Sequence, residues 1–359
     1  MKERAAKWIG LALVLLVVGI AIVWSLFQRS QDPGEMVSGF VGGEKISFLE
    51  NPEVVEILRR DYHLQLDIHK AGSLDMVRAS HEGRSFLFPS SQTALEYYRA
   101  QIGPPRREKQ LFNTPIVLYS HRPVAEALLA NGMLRQDGET FWMDMPALVA
   151  AMEEDRSWAD LGLPQLYGQL QVDTTDPARS NSGNMFSGLV ANLLNGGQVV
   201  QEQDVETVAP RLLRIFGKLG YMETSSSDLF TQFLRTGVGA KPLVAGYENQ
   251  LLEFARLHPE RWAEVQDDIV ILYPEPTVWS THILISLDER GDRLLEALSD
   301  ERLLRIAWEQ HGFRSGVYGS GNTEAFEAVS GVADEITSII PMPGQAAMEK
   351  IIEAFGTKR

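Results

Sequence analysis

The 359-residue sequence contains no cysteine. This excludes disulfide bonds and lipid attachment to an N-terminal cysteine, so the fold must be stabilised by an ordinary hydrophobic core. Basic residues are also few, with 33 Lys and Arg against 48 Asp and Glu and a formal net charge of −15. Nucleic acids and anionic membrane surfaces bind clustered Lys and Arg, and the charge balance therefore argues against nucleic acid as a partner.

The motifs of common catalytic and metal sites are also missing. The sequence has no Gly-x-Ser-x-Gly elbow, and residues 42–45 (GGEK) lack the spacing and the hydroxyl of a phosphate-binding loop. The histidines show no i, i+4 pair, so we predict neither a transition-metal site nor a cofactor. A carboxylate-based hydrolase stays open as an alternative, because acidic residues follow several predicted strands, although nothing singles out a pair: Asp173, Asp176, Glu248 and Glu275.

Only one apolar run is long enough to cross a membrane. Trp8–Phe27 holds twenty uncharged residues, which at about 1.5 Å each span the ~30 Å hydrocarbon core as a helix. Lys2, Arg4 and Lys7 precede the run, and residues 23–27 (VWSLF) do not supply the small residues of a signal-peptide cleavage site. We predict a cytoplasmic N-terminus at 1–7, an uncleaved transmembrane signal anchor at 8–27 and a linker at 28–35. The rest of the chain is then expected on the periplasmic, extracytoplasmic side of the inner membrane.

The chain after the linker alternates short strands with helices. Between residues 38 and 101 the order of strand, polar loop and helix repeats three times. This order is typical of an α/β fold with parallel strands and right-handed crossovers, in which ligands collect at the carboxyl ends of the strands. Lys45 follows the first of these strands, and we expect it to be exposed to solvent.

The stretch 172–184 (VDTTDPARSNSGN) is the centre of the functional interpretation. Its β-branched start predicts a strand, Asp176-Pro177 a turn, and the apolar run Met185–Leu194 a helix that begins near Ser180 or Ser182. The free N–H groups of the first helical turn would face a ligand beyond the strand end. A well-capped helix without a ligand is the alternative.

Several short motifs occur in the order found in a known family: Gly42-Gly43-Glu44-Lys45, Gly72-Ser73-Leu74-Asp75-Met76, Ser90-Ser91, Asp176-Pro177 with Ser180-Asn181-Ser182-Gly183, Gly246-Tyr247-Glu248-Asn249, and Tyr273-Pro274-Glu275-Pro276-Thr277 with Ser280. In this order the chain resembles the bacterial extracellular solute-binding proteins of the type 2 periplasmic-binding-protein fold, related to molybdate and sulfate receptors. The resemblance covers about residues 36–315. It departs from typical secreted members in its retained N-terminal helix and in an extension after about Ser320.

The resemblance implies two α/β lobes, with a ligand closed between them. Residues 36–115 and 275–359 would form lobe 1 and residues 116–274 lobe 2, joined by crossover strands at Phe112–Tyr119 and Asp268–Tyr273. Lobe 1 would line the cleft with Gly43, Glu44, Ser73, Ser90 and Ser91. Lobe 2 would contribute Asp176, Ser180, Asn181, Ser182 and Tyr247, and Thr277 would lie at the hinge.

The chemistry of these residues favours a small polar or anionic solute. Serine hydroxyls and helix N-terminal N–H groups can hold an anion without a counter-charge. Carboxylates in the same loops, at Glu44, Asp75, Asp176 and Glu248, would instead favour a cationic solute if they pointed inward.

Taken with the predicted anchor, the resemblance implies a membrane-anchored solute-binding protein and not an enzyme. Its partners would be the solute and an ABC-type permease or another membrane protein. The alternative is a sensor or interaction module that keeps the binding-protein fold and signals to a membrane partner.

Overall fold

A computed structural model of the chain describes residues 34–356, together with Val18. The predicted cytoplasmic segment at 1–7 and the predicted anchor at 8–27 lie outside these residues, apart from Val18. No helix in the described part of the chain is long and apolar enough to cross a membrane.

The described strands fall into two mixed sheets that share one long strand. In chain order the strands are β1 (Glu35–Val41), β2 (Leu64–Lys70), β3 (Phe86–Phe88), β4 (Arg107–His121), β5 (Leu134–Asp137), β6 (Thr140–Asp144), β7 (Leu243–Tyr247), β8 (Ile269–Glu275) and β9 (Trp279–Ser286). The first sheet has the order β2-β1-β3-β9-β4, and in the second sheet β4 lies between β7 and β8, followed by β6 and β5.

Helices cover both sheets. They are α1 (Ile46–Leu49), α2 (Pro52–Tyr62), α3 (Ser73–Arg78), α4 (Gln92–Gln101), α5 (Arg122–Ala130), α6 (Met145–Glu153), α7 (Asn181–Leu194), α8 (Val205–Phe216), α9 (Ser226–Thr236), α10 (Glu248–Leu257), α11 (Pro259–Val265), α12 (Glu289–Ala297), α13 (Glu301–His311) and α14 (Gln345–Gly356). Short 3₁₀ helices occur at Gly43–Lys45, Ala159–Leu161, Glu202–Asp204 and Thr323–Phe326.

Two segments carry the chain between the sheets. The first half of β4, up to Pro115, pairs antiparallel with β9, and the second half, from Ile116, pairs antiparallel with β7 and β8. The chain returns between β8 and β9, where the Thr277 hydroxyl donates a 2.6 Å hydrogen bond to the Ile116 carbonyl. Strands β1, β2 and β3 pair in parallel, as the strand-helix alternation predicts.

Local sequence explains several element boundaries. Helix α2 begins where the Asn51 side chain accepts a hydrogen bond from the Glu53 N–H and Pro52 occupies the first helical position.

The strand predicted at 172–175 is wrong, since only Asp173 pairs there, through one bridge to Val244 of β7. The Asp-Pro turn that follows carries the chain away from the sheet before a ladder can form.

Each sheet has its own hydrophobic core. Phe48, Phe112 and Leu284 belong to the core of the first sheet, and Leu118, Leu189 and Leu272 to a core of the second. The α/β architecture with two lobes agrees with the prediction. The lobe boundaries themselves stay a prediction.

The C-terminal segment, which follows about Ser320, packs mainly on the second sheet. The sequence predicted that all of residues 275–359 belong to lobe 1. Phe326, Val329 and Ala333 join a core with Tyr273 of β8. Apolar residues of α14 pack into the other core of the second sheet: Ala347, Met348, Ile351 and Phe355. Helix α14 also contacts α4, which covers the first sheet, so this segment touches elements of both sheets.

Candidate functional site

A cleft of about 350 Å³ opens where the two lobes meet. Such a volume lies within the usual range for small-molecule sites, roughly 300–1,000 Å³. Lobe 1 lines the cleft with the loop after β1, the end of β2 and the start of α3, and the second lobe lines it with the loops before α7 and α9. The lining residues are Gly42, Gly43, Glu44, Lys70, Ala71, Gly72, Ser73, Asp75, Arg179, Ser180, Asn181, Ser182, Thr224, Ser225, Ser226 and Tyr247.

Two long helices of the second lobe begin at the cleft. Ser180 precedes the 14-residue α7 and Ser225 precedes the 11-residue α9, and neither serine side chain caps its helix. The Ser180 hydroxyl instead pairs with Ser182 at 3.2 Å, and the Ser225 hydroxyl accepts from Lys70 at 3.4 Å. Helix N-termini carry partial positive charge and unpaired N–H groups. Both helices therefore offer the cleft an environment that favours an anion.

Backbone close approach explains the glycine in the first turn of α7. A Cβ atom at Gly183 would lie 2.1 Å from the Thr175 carbonyl oxygen, closer than real Cβ contacts come. The turn before α7 therefore packs directly on residues 172–175. This contact fixes the Ser180–Ser182 segment beside the cleft.

A buried ionic cluster forms one wall of the cleft. The Lys45 ammonium, fully buried, lies 2.5 Å from the Glu44 carboxylate and donates to the Ser90 hydroxyl at 2.6 Å. The same ammonium is 3.2 Å from His282 Nδ1 and 5.0 Å from the centre of the Phe88 ring. The prediction that Lys45 is exposed is wrong, because Glu44, Ser90 and His282 together compensate its buried charge.

The cluster keeps Glu44 ionised. Burial raises the pKa of the Glu44 carboxyl, but the charge of Lys45 and the hydrogen bonds from Lys45 and Ser90 outweigh it and lower this pKa to about 2. Burial, followed by repulsion from Lys45, holds the pKa of His282 well below its usual range, so the imidazole is neutral at pH 7. Because Lys45 balances the charge of Glu44, this wall adds little net charge to the cleft.

Asn181 links the two lobes. Its side-chain amide donates to the Ser90 carbonyl of lobe 1 at 3.0 Å and to the Tyr247 hydroxyl at 2.9 Å. Burial raises the pKa of Tyr247, so its phenol stays protonated. Asn181 thus fastens the closed arrangement of the lobes.

The structure brings seven of the predicted site residues to the cleft: Gly43, Glu44, Ser73, Ser180, Asn181, Ser182 and Tyr247. The other four lie outside its lining. Ser90 belongs to the Lys45 cluster, Ser91 is buried at the start of α4, and Asp176 accepts from the Ala178 N–H at 2.9 Å within its turn. Thr277 lies between β8 and β9, where it bonds the first crossover at Ile116.

The sequence reasoning named Asp75 among the carboxylates of these loops but missed the two cations at the rim of the cleft. Lys70 at the end of β2 and Arg179 before α7 are exposed cations, and Asp75 in α3 is the exposed anion. The prediction that ligands collect at the carboxyl ends of parallel strands could have identified Lys70, since it is the last residue of β2. Nothing in the spacing of Arg179 marks it.

Asn184 was also missed, although it ends the stretch that the sequence singles out. It lines a narrow extension of the cleft of about 20 Å³, together with Ser73 and Asn181. Its Nδ2 atom is buried and donates to no described residue. A space of this size holds one water molecule or one ligand atom. Asn184 therefore places a buried amide donor beside the site.

No protein-family model and no curated protein sequence matches this chain. Solved structures do resemble it. A substrate-binding protein of an ABC transporter from Agrobacterium tumefaciens is 14% identical with a TM-score of 0.56, covering 91% of this chain and 95% of that one.

Two further structural neighbours are named after the ions that they bind. The apo ferric ion-binding protein A of Pasteurella haemolytica is 13% identical with a TM-score of 0.55, over 90% of this chain and 95% of its own. The sulfate-binding protein of Mycobacterium tuberculosis is 11% identical with a TM-score of 0.51, over 88% and 96%. Residues 34–356 contain no group of three or more His, Cys, Asp or Glu placed to hold a metal ion. The similarity to these solved structures shows that the chain has the type 2 periplasmic-binding-protein fold of the substrate-binding proteins of ABC transporters.

Proposed function

We propose that this protein binds a small anionic solute between its two lobes, outside the cytoplasm, and delivers it to an ABC-type transporter without altering it chemically. The observation that carries the proposal is the composition of the cleft. Two helix N-termini without side-chain caps and the cations Lys70 and Arg179 line one cavity, and the buried amide donor of Asn184 lies beside it.

The acidic residues of the cleft do not oppose this charge preference. Glu44 is balanced by Lys45 at 2.5 Å, so its carboxylate is already compensated. Asp75 lies at the exposed rim, where solvent screens its charge, and the lining holds two cations, Lys70 and Arg179, besides this one carboxylate. The site as a whole therefore favours an anion over the cationic solute that the sequence left open.

Binding should appear as ligand-dependent stability. A solute at a hundredfold excess over its Kd adds about 2.7 kcal/mol to the free energy of unfolding. We expect inorganic phosphate, sulfate, molybdate or a small organic anion to raise the melting temperature, and amines and neutral sugars to leave it unchanged.

Variants of the rim make this test specific. Lys70→Met removes a charge-assisted hydrogen bond to the anion, worth about 1.5–3 kcal/mol, and should weaken binding roughly 10- to 150-fold by calorimetric titration. Lys109→Met is the matched control, because Lys109 is an exposed lysine of β4 outside the cleft. Equal affinity in both variants, or stabilisation by cations alone, would contradict the anion proposal.

We also propose that residues 8–27 anchor the protein in the inner membrane, with the lobes 36–115 plus 275–359 and 116–274 on the periplasmic side. The support is the uncharged length of this run and the basic residues before it. Mass spectrometry of the membrane fraction should then find the intact N-terminus. A mature protein that starts near residue 28–32 in the soluble fraction would exclude the anchor.

A further inference from the structure

A second cavity, of about 240 Å³, adjoins the cleft on the other side of the loop that follows β1. Gly43 and Glu44 line both spaces, so the two adjoin each other at this loop. The remaining lining residues come from α1 in lobe 1 and, in lobe 2, from α9, from α10 and from the residue that follows α10. They are Ser47, Ser227, Phe230, Thr231, Gln250, Glu253, Phe254, Leu257 and His258. We call this space the side cavity.

The side cavity differs from the cleft in its charge. None of its described lining residues is Lys or Arg. Both of its carboxylates already have partners, since Glu44 pairs with Lys45 and Glu253 with His311, each at 2.5 Å. An anionic group would find no Lys or Arg among these lining residues to balance its charge. The side cavity therefore suits an uncharged group.

Gln250 supplies a specific contact for such a group. Only 7% of this residue is exposed, and its Oε1 accepts from the Tyr247 N–H at 3.3 Å and the Tyr119 hydroxyl at 3.5 Å. Its Nε2 atom donates to no described residue. A ligand oxygen in the side cavity would accept a hydrogen bond from this amide.

Phe230, Phe254 and Leu257 supply the apolar part of the lining. Phe230 and Phe254 are both more than nine-tenths buried, and their rings lie 5.9 Å apart. Small-molecule sites commonly combine apolar walls with a few fixed polar groups. A volume of 240 Å³ corresponds to roughly eight water molecules at about 30 Å³ each, which is room for a substituent of several non-hydrogen atoms.

We propose that the solute is an organic anion whose charged group binds in the cleft and whose neutral substituent enters the side cavity, where an oxygen atom accepts a hydrogen bond from Gln250. This inference rests on the proposed anion-binding function and narrows its substrate class. A bare inorganic oxyanion would leave the side cavity and the Gln250 amide unused.

The experiment compares inorganic phosphate with phosphate monoesters of increasing size, by calorimetric titration of the full chain. We expect monoesters with an oxygen-bearing substituent of three or more non-hydrogen atoms to bind at least tenfold more tightly than inorganic phosphate. Thr231→Phe fills the side cavity from the exposed face of α9 and should lower this affinity ratio at least tenfold. Gln250→Glu keeps the oxygen that Tyr247 uses, replaces the amide donor and should lower the ratio in the same way.

Thr236→Phe is the matched control, since Thr236 is an exposed threonine of the same helix outside the side cavity. Its affinity ratio should equal that of the wild type. If inorganic phosphate or sulfate binds but no monoester binds more tightly, or if Thr231→Phe leaves the ratio unchanged, the side-cavity proposal is overturned and the anion-binding function stands. If no inorganic or organic anion binds at all, both proposals fail together.

Discussion

Replacing Arg314 with methionine is expected to lower the free energy of unfolding by about 3–5 kcal/mol, because it leaves a buried carboxylate without its counter-charge. Arg314 is 4% exposed and Glu248 is fully buried. Two parallel hydrogen bonds join them, from Nε to Oε2 at 2.6 Å and from Nη2 to Oε1 at 2.7 Å. The Tyr273 hydroxyl donates to the same carboxylate at 2.6 Å, and it cannot replace a full positive charge.

The position of Arg314 makes the loss larger than that of one ion pair. Its backbone bridges to Asn113 of β4, just before that strand passes to the second sheet. Its side chain also donates to the carbonyls of Ala333 at 2.6 Å and Asp334 at 3.2 Å in the C-terminal segment. Arg314 therefore joins the first crossover, the C-terminal segment and the helix that begins next to Tyr247 of the cleft.

Chemical denaturation of the variant measures this effect, and two comparisons assign its cause. Arg314→Lys keeps the charge but not the paired geometry, so it should lose less than Arg314→Met. The double variant Glu248→Gln with Arg314→Met buries no charge and should recover part of the stability. A double variant as unstable as Arg314→Met would show that lost packing, and not the unpaired Glu248, causes the destabilisation.

Local sequence patterns were enough to predict the fold class. The alternation of strands and helices depends on short-range periodicity, so β1 to β3 and most helices could be located. The resemblance then predicted two lobes and eleven site residues, of which seven line the cleft. The helix start near Ser180 was recognisable because small polar residues before an apolar run mark an N-terminus.

Contacts between distant residues could not be predicted in this way. Lys45 looks like an exposed lysine in its local sequence, and its burial depends on Ser90 and His282, which are 45 and 237 residues away. The C-terminal segment gave no local sign of crossing the hinge, because its apolar residues fit either lobe equally well until the other core is known. The strand predicted at 172–175 failed for the opposite reason, since strand propensity is present there but only one residue has a partner.

The pH dependence of stability offers a test of the Lys45 cluster. Glu44 has a pKa of about 2 in the folded protein against 4.5 as the ordinary value. A carboxyl whose pKa is lowered by folding stabilises the protein above its unfolded pKa and loses that contribution as the pH falls through the folded value. We therefore expect Glu44 to contribute on the order of 3 kcal/mol at pH 7, lost between about pH 4.5 and 2. Glu44→Gln should flatten the stability curve in this window.

Lys45→Met should change the sign of this dependence. Without the ammonium, burial becomes the dominant influence and raises the pKa of Glu44 above its ordinary value. The variant should lose about 3–5 kcal/mol at pH 7, and it should gain stability relative to the wild type as the pH falls toward 4.5, where protonation removes the uncompensated charge. Urea unfolding at a series of pH values measures both effects.

The double variant Glu44→Gln with Lys45→Met should recover much of the loss at pH 7, since neither residue is then charged. A Lys45→Met variant with an acid response like that of the wild type would mean that His282, 3.7 Å from Glu44, becomes protonated and replaces the lysine.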